Sequence, residues 1–227
     1  MPEPKFPLQF HVESLHQKMT RTDVEMPEEA EQSNLEKYSE AFRLLVQQKS
    51  LLALLKGSHV DGTFAEWEKG RRFIADLIDQ KGTLLDYGCA NGFLLKCLEE
   101  WTGGKIISYG VDSDPLMIER AQELFPDRLD HFANTAKPPP ADFPKSFTMI
   151  YWNVWDNFDL ASERGTETLK RLLGYVKPGG RLILGFYRKE KSENIAQVEI
   201  LRQLGYAASA IAKAPQDGAQ VAVAIDV

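Results

Sequence analysis

The stretch Leu84-Leu85-Asp86-Tyr87-Gly88-Cys89-Ala90-Asn91-Gly92-Phe93-Leu94 decides the fold of this 227-residue chain. An apolar run ends in an acid, a loop of small residues follows, and a helical pattern opens at Gly92. The pattern predicts a strand over 83–87 and a helix over 92–101. Small residues let backbone pass close to a ligand, and glycine reaches φ values that other residues resist. A dinucleotide loop of the Gly-x-Gly-x-x-Gly kind needs a small third residue where helix meets strand. Counted from Gly88, that place holds Phe93, which argues against it. A nucleoside triphosphate loop ends in Gly-Lys-Ser/Thr, and no such ending follows Gly88. A strand–turn–helix corner with no ligand is the bland alternative.

Working outward, strand-like and helix-like segments alternate. Strands are expected over 106–111, 147–152 and 181–186, with a weak one near 129–132. Helices are expected over 115–125, 162–173 and 194–204. The tail, 207–213 and 220–227, alternates like a hairpin. Such alternation predicts an α/β, Rossmann-like, mainly parallel seven-stranded sheet with helices on both faces and a terminal antiparallel hairpin. Ligands of such sheets bind outside the carboxyl ends of the strands, where strand order reverses.

Upstream, Trp67, Arg71, Ile74 and Ile78 share one face of a helix expected over 63–79. Leu35, Tyr38, Phe42, Leu45, Val46, Leu51, Leu52 and Leu55 recur at helical steps over 35–55, closed by Gly57. The segment 22–33 is acidic and reads as a solvated loop or frayed helix start. The expected organisation is a helical extension or lid over 1–60 and a Rossmann-like core over 61–227. Charged residues make up 26% of the chain and the net charge is −6, so the basic excess of a phosphate-backbone binder is missing and no nucleic-acid partner is expected. The two cysteines indicate no disulfide framework. Apolar runs such as 51–55 fall short of a membrane span, and residues 1–10 do not read as a secretory signal. The cytoplasm is the expected compartment. His11, His16, His59 and His131 are scattered and form no metal spacing.

The stretch Asp86-Tyr87-Gly88-Cys89-Ala90-Asn91-Gly92 resembles the acid-x-Gly-x-Gly-x-Gly loop of class I S-adenosylmethionine-dependent methyltransferases, with Ala90 for the middle glycine. Asp112 ends the next expected strand, 20 residues past Gly92, where a carboxylate offers a ribose diol a bidentate acceptor. Asp114, before Pro115, reads instead as a helix N-cap. Lys177-Pro178-Gly179-Gly180 also resembles the family's lead into its fifth strand, in a structural role. The resemblance covers 63–227. It implies S-adenosylmethionine as cofactor and methyl transfer to a small-molecule acceptor by in-line displacement. The cofactor contacts it implies are Asp86, Gly88, Cys89, Ala90, Asn91, Gly92, Asp112, Ser113, Asn134 and Asn153. Cys89 reads as a small packing residue of that loop. Asn134 either meets the adenine through its amide oxygen or serves a plain turn.

Trp67 and Arg71 are expected to return to the ligand edge. Arg71 there takes the cofactor's carboxylate or pairs with Glu68 or a neighbouring acid. After the fourth strand, Trp152 and Trp155 stack a flat acceptor or pack in the core, and Asp156 is a base or a cap. Asn153-Val154-Trp155-Asp156 lacks the Asn/Asp-Pro-Pro-Tyr/Phe of nucleic-acid amino-methyltransferases, which disfavours that subclass. The family has no universal catalytic residue, and none is assigned. Two rivals stay open: a cofactor-binding regulatory or partner protein that does no methylation, and a nicotinamide oxidoreductase. A monomer or a homodimer is expected, the extension forming a lid over the acceptor pocket or a dimer contact.

Overall fold

A computed structural model describes residues 35–58, 62–155, 158–215 and 220–227. The acidic segment 22–33, His11, His16, His59, Asp61 and Asp156 lie outside the described residues. The strands are β1 (Gly82–Tyr87), β2 (Ile106–Asp112), β3 (Phe132–Asn134), β4 (Phe147–Val154), β5 (Val176–Phe186), β6 (Ala210–Lys213) and β7 (Val221–Asp226). They form one sheet in the order β3-β2-β1-β4-β5-β7-β6. The first five are mutually parallel, and β7 runs antiparallel to both β5 and β6. Leu84, Met149, Ile150, Ile183 and Leu184 are wholly buried. Central strands covered on both faces need such continuous apolar runs.

The chain steps from β1 outward to β2 and β3, then returns to β4 on the other side of β1. Strand order therefore reverses between β1 and β4, and their register pairs Tyr87 with Trp152 at the carboxyl ends. That edge is where the fold opens a crevice.

The helices are α1 (Glu40–Lys49), α2 (Leu51–Gly57), α3 (Phe64–Lys69), α4 (Phe93–Trp101), α5 (Pro115–Leu124), α6 (Glu163–Gly174) and α7 (Lys191–Gln203). Caps set several starts. Ser39, Asp114 and Ser162 each accept a backbone N–H of the first turn, and Thr63 with Glu66 forms a capping box.

Three expectations change. The helix over 35–55 is two helices broken at Ser50, whose φ is +62°. Val46 and Leu51 are five residues apart, roughly 140° around one continuous helix; the break lets both face the same core. The helix over 63–79 stops at Lys69, and a 3₁₀ turn, Arg72–Leu77, carries the rest. The third strand is 132–134, because Leu129–His131 forms a 3₁₀ turn that leaves Leu129 exposed while Phe132 buries.

Tyr38, Phe42, Val46, Leu51, Leu54 and Leu55 join Phe64, Trp67 and Phe93 in one apolar cluster. Phe42 and Trp67 each stack on Phe93. That explains the large residue at position 93: it is the platform on which the extension rests. Beside it, the buried Glu68 accepts from Lys37 (2.8 Å), Arg72 (2.7 Å) and the Tyr38 hydroxyl. Among the described residues no helix is long and apolar enough to cross a membrane.

Candidate functional site

The loop after β1 is shaped by left-handed backbone. Gly88 has φ +88°, Ala90 +47° and Gly92 +74°. The N–H groups of Gly88 and Cys89 donate to the Val111 carbonyl (2.8 and 3.0 Å), and the Ala90 N–H donates to Asp112 Oδ2 (2.9 Å). The loop is thus held to the end of β2, and Ala90 takes the conformation that glycine adopts more easily. Among the described residues a side chain at Gly88 would meet Trp155 Nε1 alone, at 4.0 Å, so its face opens toward the crevice. At Gly92 a Cβ would press on Ala121 and Phe125; that glycine serves helix packing.

The crevice encloses a cavity of about 60 Å³ lined by Asp86, Gly88, Cys89, Ala90, Tyr151, Asn153 and Trp155 on the sheet side. Ser58, Trp67, Arg71 and Leu94 complete it. Asp86 is 2% exposed, and its Oδ1 is buried without a hydrogen-bond partner among the described residues. Burial, with a smaller push from Asp112, lifts the Asp86 carboxyl to about 8. A buried acid left so calls for a cation or a donor in the crevice.

Trp67 is buried, and Arg71 is half-buried beside it. Arg71 does not pair with Glu68, which is occupied by Lys37 and Arg72. Instead its guanidinium lies 3.6 Å from the centre of the Tyr187 ring. One nitrogen, Nη1, donates to the Gly70 carbonyl (2.8 Å) and to Gln220 Oε1 (3.3 Å). The Tyr187 hydroxyl in turn accepts from the buried Tyr151 hydroxyl (2.9 Å). The expected helix geometry was wrong, yet both residues reach the crevice, because the chain turns at Gly70 and not through a longer helix.

Other expected contacts are redistributed. Cys89 is buried and its thiol is pushed up by burial, which suits packing against Gly110, where a Cβ would come within 2.6 Å of its sulfur. The Asn91 side chain turns away from the crevice and bonds to α2 and to the Phe93 N–H. Asn134 accepts from the Ala136 N–H at its amide oxygen and donates from Nδ2 to the Ser113 carbonyl (both 2.9 Å). Both bonds are those of an asparagine serving its own turn. Ser113 is exposed beside it. Asp112 is half-buried, accepts from Ala90 and from the Asp114 N–H (2.9 Å), and keeps lone pairs toward solvent. The two tryptophans separate: Trp152 is 3% exposed between Tyr87 and Phe158, and Trp155 is 49% exposed on the crevice. His131 stacks on Tyr109. Sequence reading missed Ser58, while Tyr151 opens the aromatic run 151–158 that it places at the ligand edge after the fourth strand. A serine after a helix carries no signal of its own; tertiary contact brings it in.

Residues 60–209 match the family described as a methyltransferase domain. Over 119 residues the chain is 34% identical to the ribosomal protein L11 methyltransferase of Xylella fastidiosa, covering 49% of this chain and 34% of that protein. It thus spans about a third of that relative's length. A crystal structure of an S-adenosylmethionine-dependent methyltransferase from Aquifex aeolicus superposes with a TM-score of 0.51 at 18% identity, covering 76% of this chain and 97% of that one. With the matched family spanning every lining residue of the crevice but Ser58, and the strand order and glycine loop in place, the chain belongs to the methyltransferase-domain family, in its Rossmann-like, S-adenosylmethionine-dependent class.

Proposed function

We propose that the chain transfers a methyl group from S-adenosylmethionine to a small-molecule acceptor at the carboxyl ends of β1 and β4. The observation that carries this is Asp86: a buried, unpartnered carboxyl beneath a loop whose Gly88 face is open. The cofactor's amino acid end fits that donor set, with an ammonium toward Asp86 and a carboxylate toward the remaining guanidinium nitrogens of Arg71. The cavity of about 60 Å³ holds only a fraction of such a ligand. The open edge at Asp112 and Ser113 is left for the nucleoside, whose diol suits the Asp112 carboxylate. Bound there, S-adenosylmethionine supplies an activated methyl and a good leaving group.

The chain's own part is to position and to exclude water. Trp155 stands over Gly88 and Ser58 lines the same cavity, so in this reading the acceptor arrives beside both. The indole face of Trp155 suits a flat or cationic acceptor. Residues before 59 form a lid in this reading: α1 and α2 rest on Phe93 and Trp67 and deliver Ser58 to the cavity.

Calorimetry with S-adenosylhomocysteine tests the cofactor half, and expected affinity is micromolar. Radiolabelled methyl transfer to pools of small metabolites and to ribosomal protein tests the acceptor. The Xylella fastidiosa relative is described as acting on ribosomal protein L11, so labelled protein with unlabelled small molecules would replace the small-molecule reading. Tight binding without turnover on either pool would favour a cofactor-binding partner protein instead.

A further inference from the structure

Asn91 sits in the loop that faces the cofactor, yet its side chain points to the extension. It is 3% exposed. Its Nδ2 donates to the Leu54 carbonyl (2.8 Å), and its Oδ1 accepts from the Ser58 hydroxyl (2.7 Å) and from the Phe93 N–H (3.2 Å). Leu54 and Ser58 both belong to the last turn and cap of α2. Between them, Gly57 lies so close that a Cβ there would fall 2.4 Å from Asn91 Nδ2. The same Ser58 lines the cavity, and the residue before Asn91 is Ala90, whose N–H is tied to Asp112. One side chain thus joins the loop, the helix and the cavity wall.

We propose that Asn91 is a positioning residue that couples α2 to the cofactor loop, so that loading the pocket and docking the extension each favour the other. The inference rests on the reading of the crevice as a cofactor site. A ligand that fixes the Gly88–Gly92 backbone fixes where the Asn91 amide points, and the docked α2 is the partner that satisfies it. An undocked α2 takes the Leu54 carbonyl from Asn91 Nδ2 and leaves Oδ1 with the Phe93 N–H alone. Linkage makes the effect reciprocal: α2 docked on Asn91 raises the loop's affinity by the same factor. The far end of the extension is held independently by Glu68, so α2 can respond without the whole segment leaving.

The test is hydrogen exchange of the amides of 51–58, with and without saturating S-adenosylhomocysteine, alongside calorimetry of the full chain. In the wild type and in the exposed-site control Leu52→Ala, ligand should slow α2 exchange by about tenfold or more, within the usual range of coupling between sites. In Asn91→Ala the ligand-dependent slowing should vanish and affinity should fall by about tenfold. Gly57→Ala, which pushes α2 off Asn91 without altering the loop, should do the same and serves if Asn91→Ala fails to fold. A purely structural asparagine predicts faster α2 exchange in Asn91→Ala with the ligand-dependent slowing intact; that result overturns the proposal. So does ligand binding in the wild type that leaves α2 exchange unchanged. Failure of the wild type to bind the ligand overturns the cofactor reading itself, and the coupling with it.

Discussion

Asp86 sets the pH behaviour at the scale of one residue. Its carboxyl is lifted from an ordinary 3.8 to about 8 in the folded chain. Between those values the folded state holds a proton that the unfolded state has released. Stability from this group is therefore full below about pH 4 and is lost as pH rises through about 8, by up to several kcal/mol as an upper bound. Denaturant titrations at pH 6 and pH 9 should show the wild type weakening and Asp86→Asn nearly level. Ligand binding near pH 7 should release a proton as the ammonium draws the carboxyl into its charged form, read as a calorimetric heat that depends on the buffer. Equal heats in two buffers would remove Asp86 from the contact. Ala90 gives a second test. Its φ of +47° carries a cost of about 1–2 kcal/mol for a residue with a Cβ, partly offset by the larger freedom of glycine when unfolded. Ala90→Gly should raise stability by up to about 1 kcal/mol, with cofactor affinity kept.

At the scale of elements, the glycine loop and the α3 anchor are separable. Gly88→Val places a β-branched side chain on a residue at φ +88°, at a strain of about 1–3 kcal/mol, and fills the face that opens on the crevice. Cofactor binding should be lost while circular dichroism remains that of a folded protein; normal binding would reduce the loop to a corner. The anchor is Glu68. Burial pushes its carboxyl up, but Lys37, Tyr38 and Arg72 outweigh that and hold it below its ordinary value. Its contribution is thus present above about pH 4.5 and lost as pH falls. Lys37 and Arg72 are each 49% exposed, so solvent screens much of the attraction. Glu68→Gln should destabilise by about 1–2 kcal/mol and free the segment around Tyr38 to protease, with S-adenosylhomocysteine affinity little changed.

For the whole molecule the question is how the extension and the sheet share one crevice. Tyr38, Phe42, Val46, Leu51, Leu54 and Leu55 are in the same cluster as β1 and α4, so the extension is part of the core's packing. Deletion through residue 33 should leave the melting temperature within a few degrees. Deletion through residue 57 exposes Phe64, Trp67 and Phe93 and should lower it by more than about 10 °C, given roughly 2 kcal/mol for each large apolar side chain uncovered. Activity should disappear with the longer deletion, since Ser58 and the cover over the crevice go astray. Full turnover in that variant would end the lid reading, and a shift from dimer to monomer on sizing would favour a subunit contact.

The architecture, and the sheet edge at which the candidate site lies, can be read from local spacing. Alternating apolar runs, the Asp86–Gly92 loop, Asp112 and the N-cap at Asp114 depend on neighbours a few residues away, and local spacing records such dependence directly. Trp67 and Arg71 reach the crevice as the sequence suggests, but by a turn at Gly70 in place of the continuous helix that the spacing implies. What only the tertiary structure decided is which way side chains of the loop turn. Asn91 looks like a ligand contact in the motif, yet its side chain is claimed by the Leu54 carbonyl, 37 residues away. The break at Ser50, the burial of Trp152 against the exposure of Trp155, and the entry of Ser58 have the same origin. They follow from surfaces that meet across tens of residues, and a buried polar atom takes whichever partner packing brings within 3 Å.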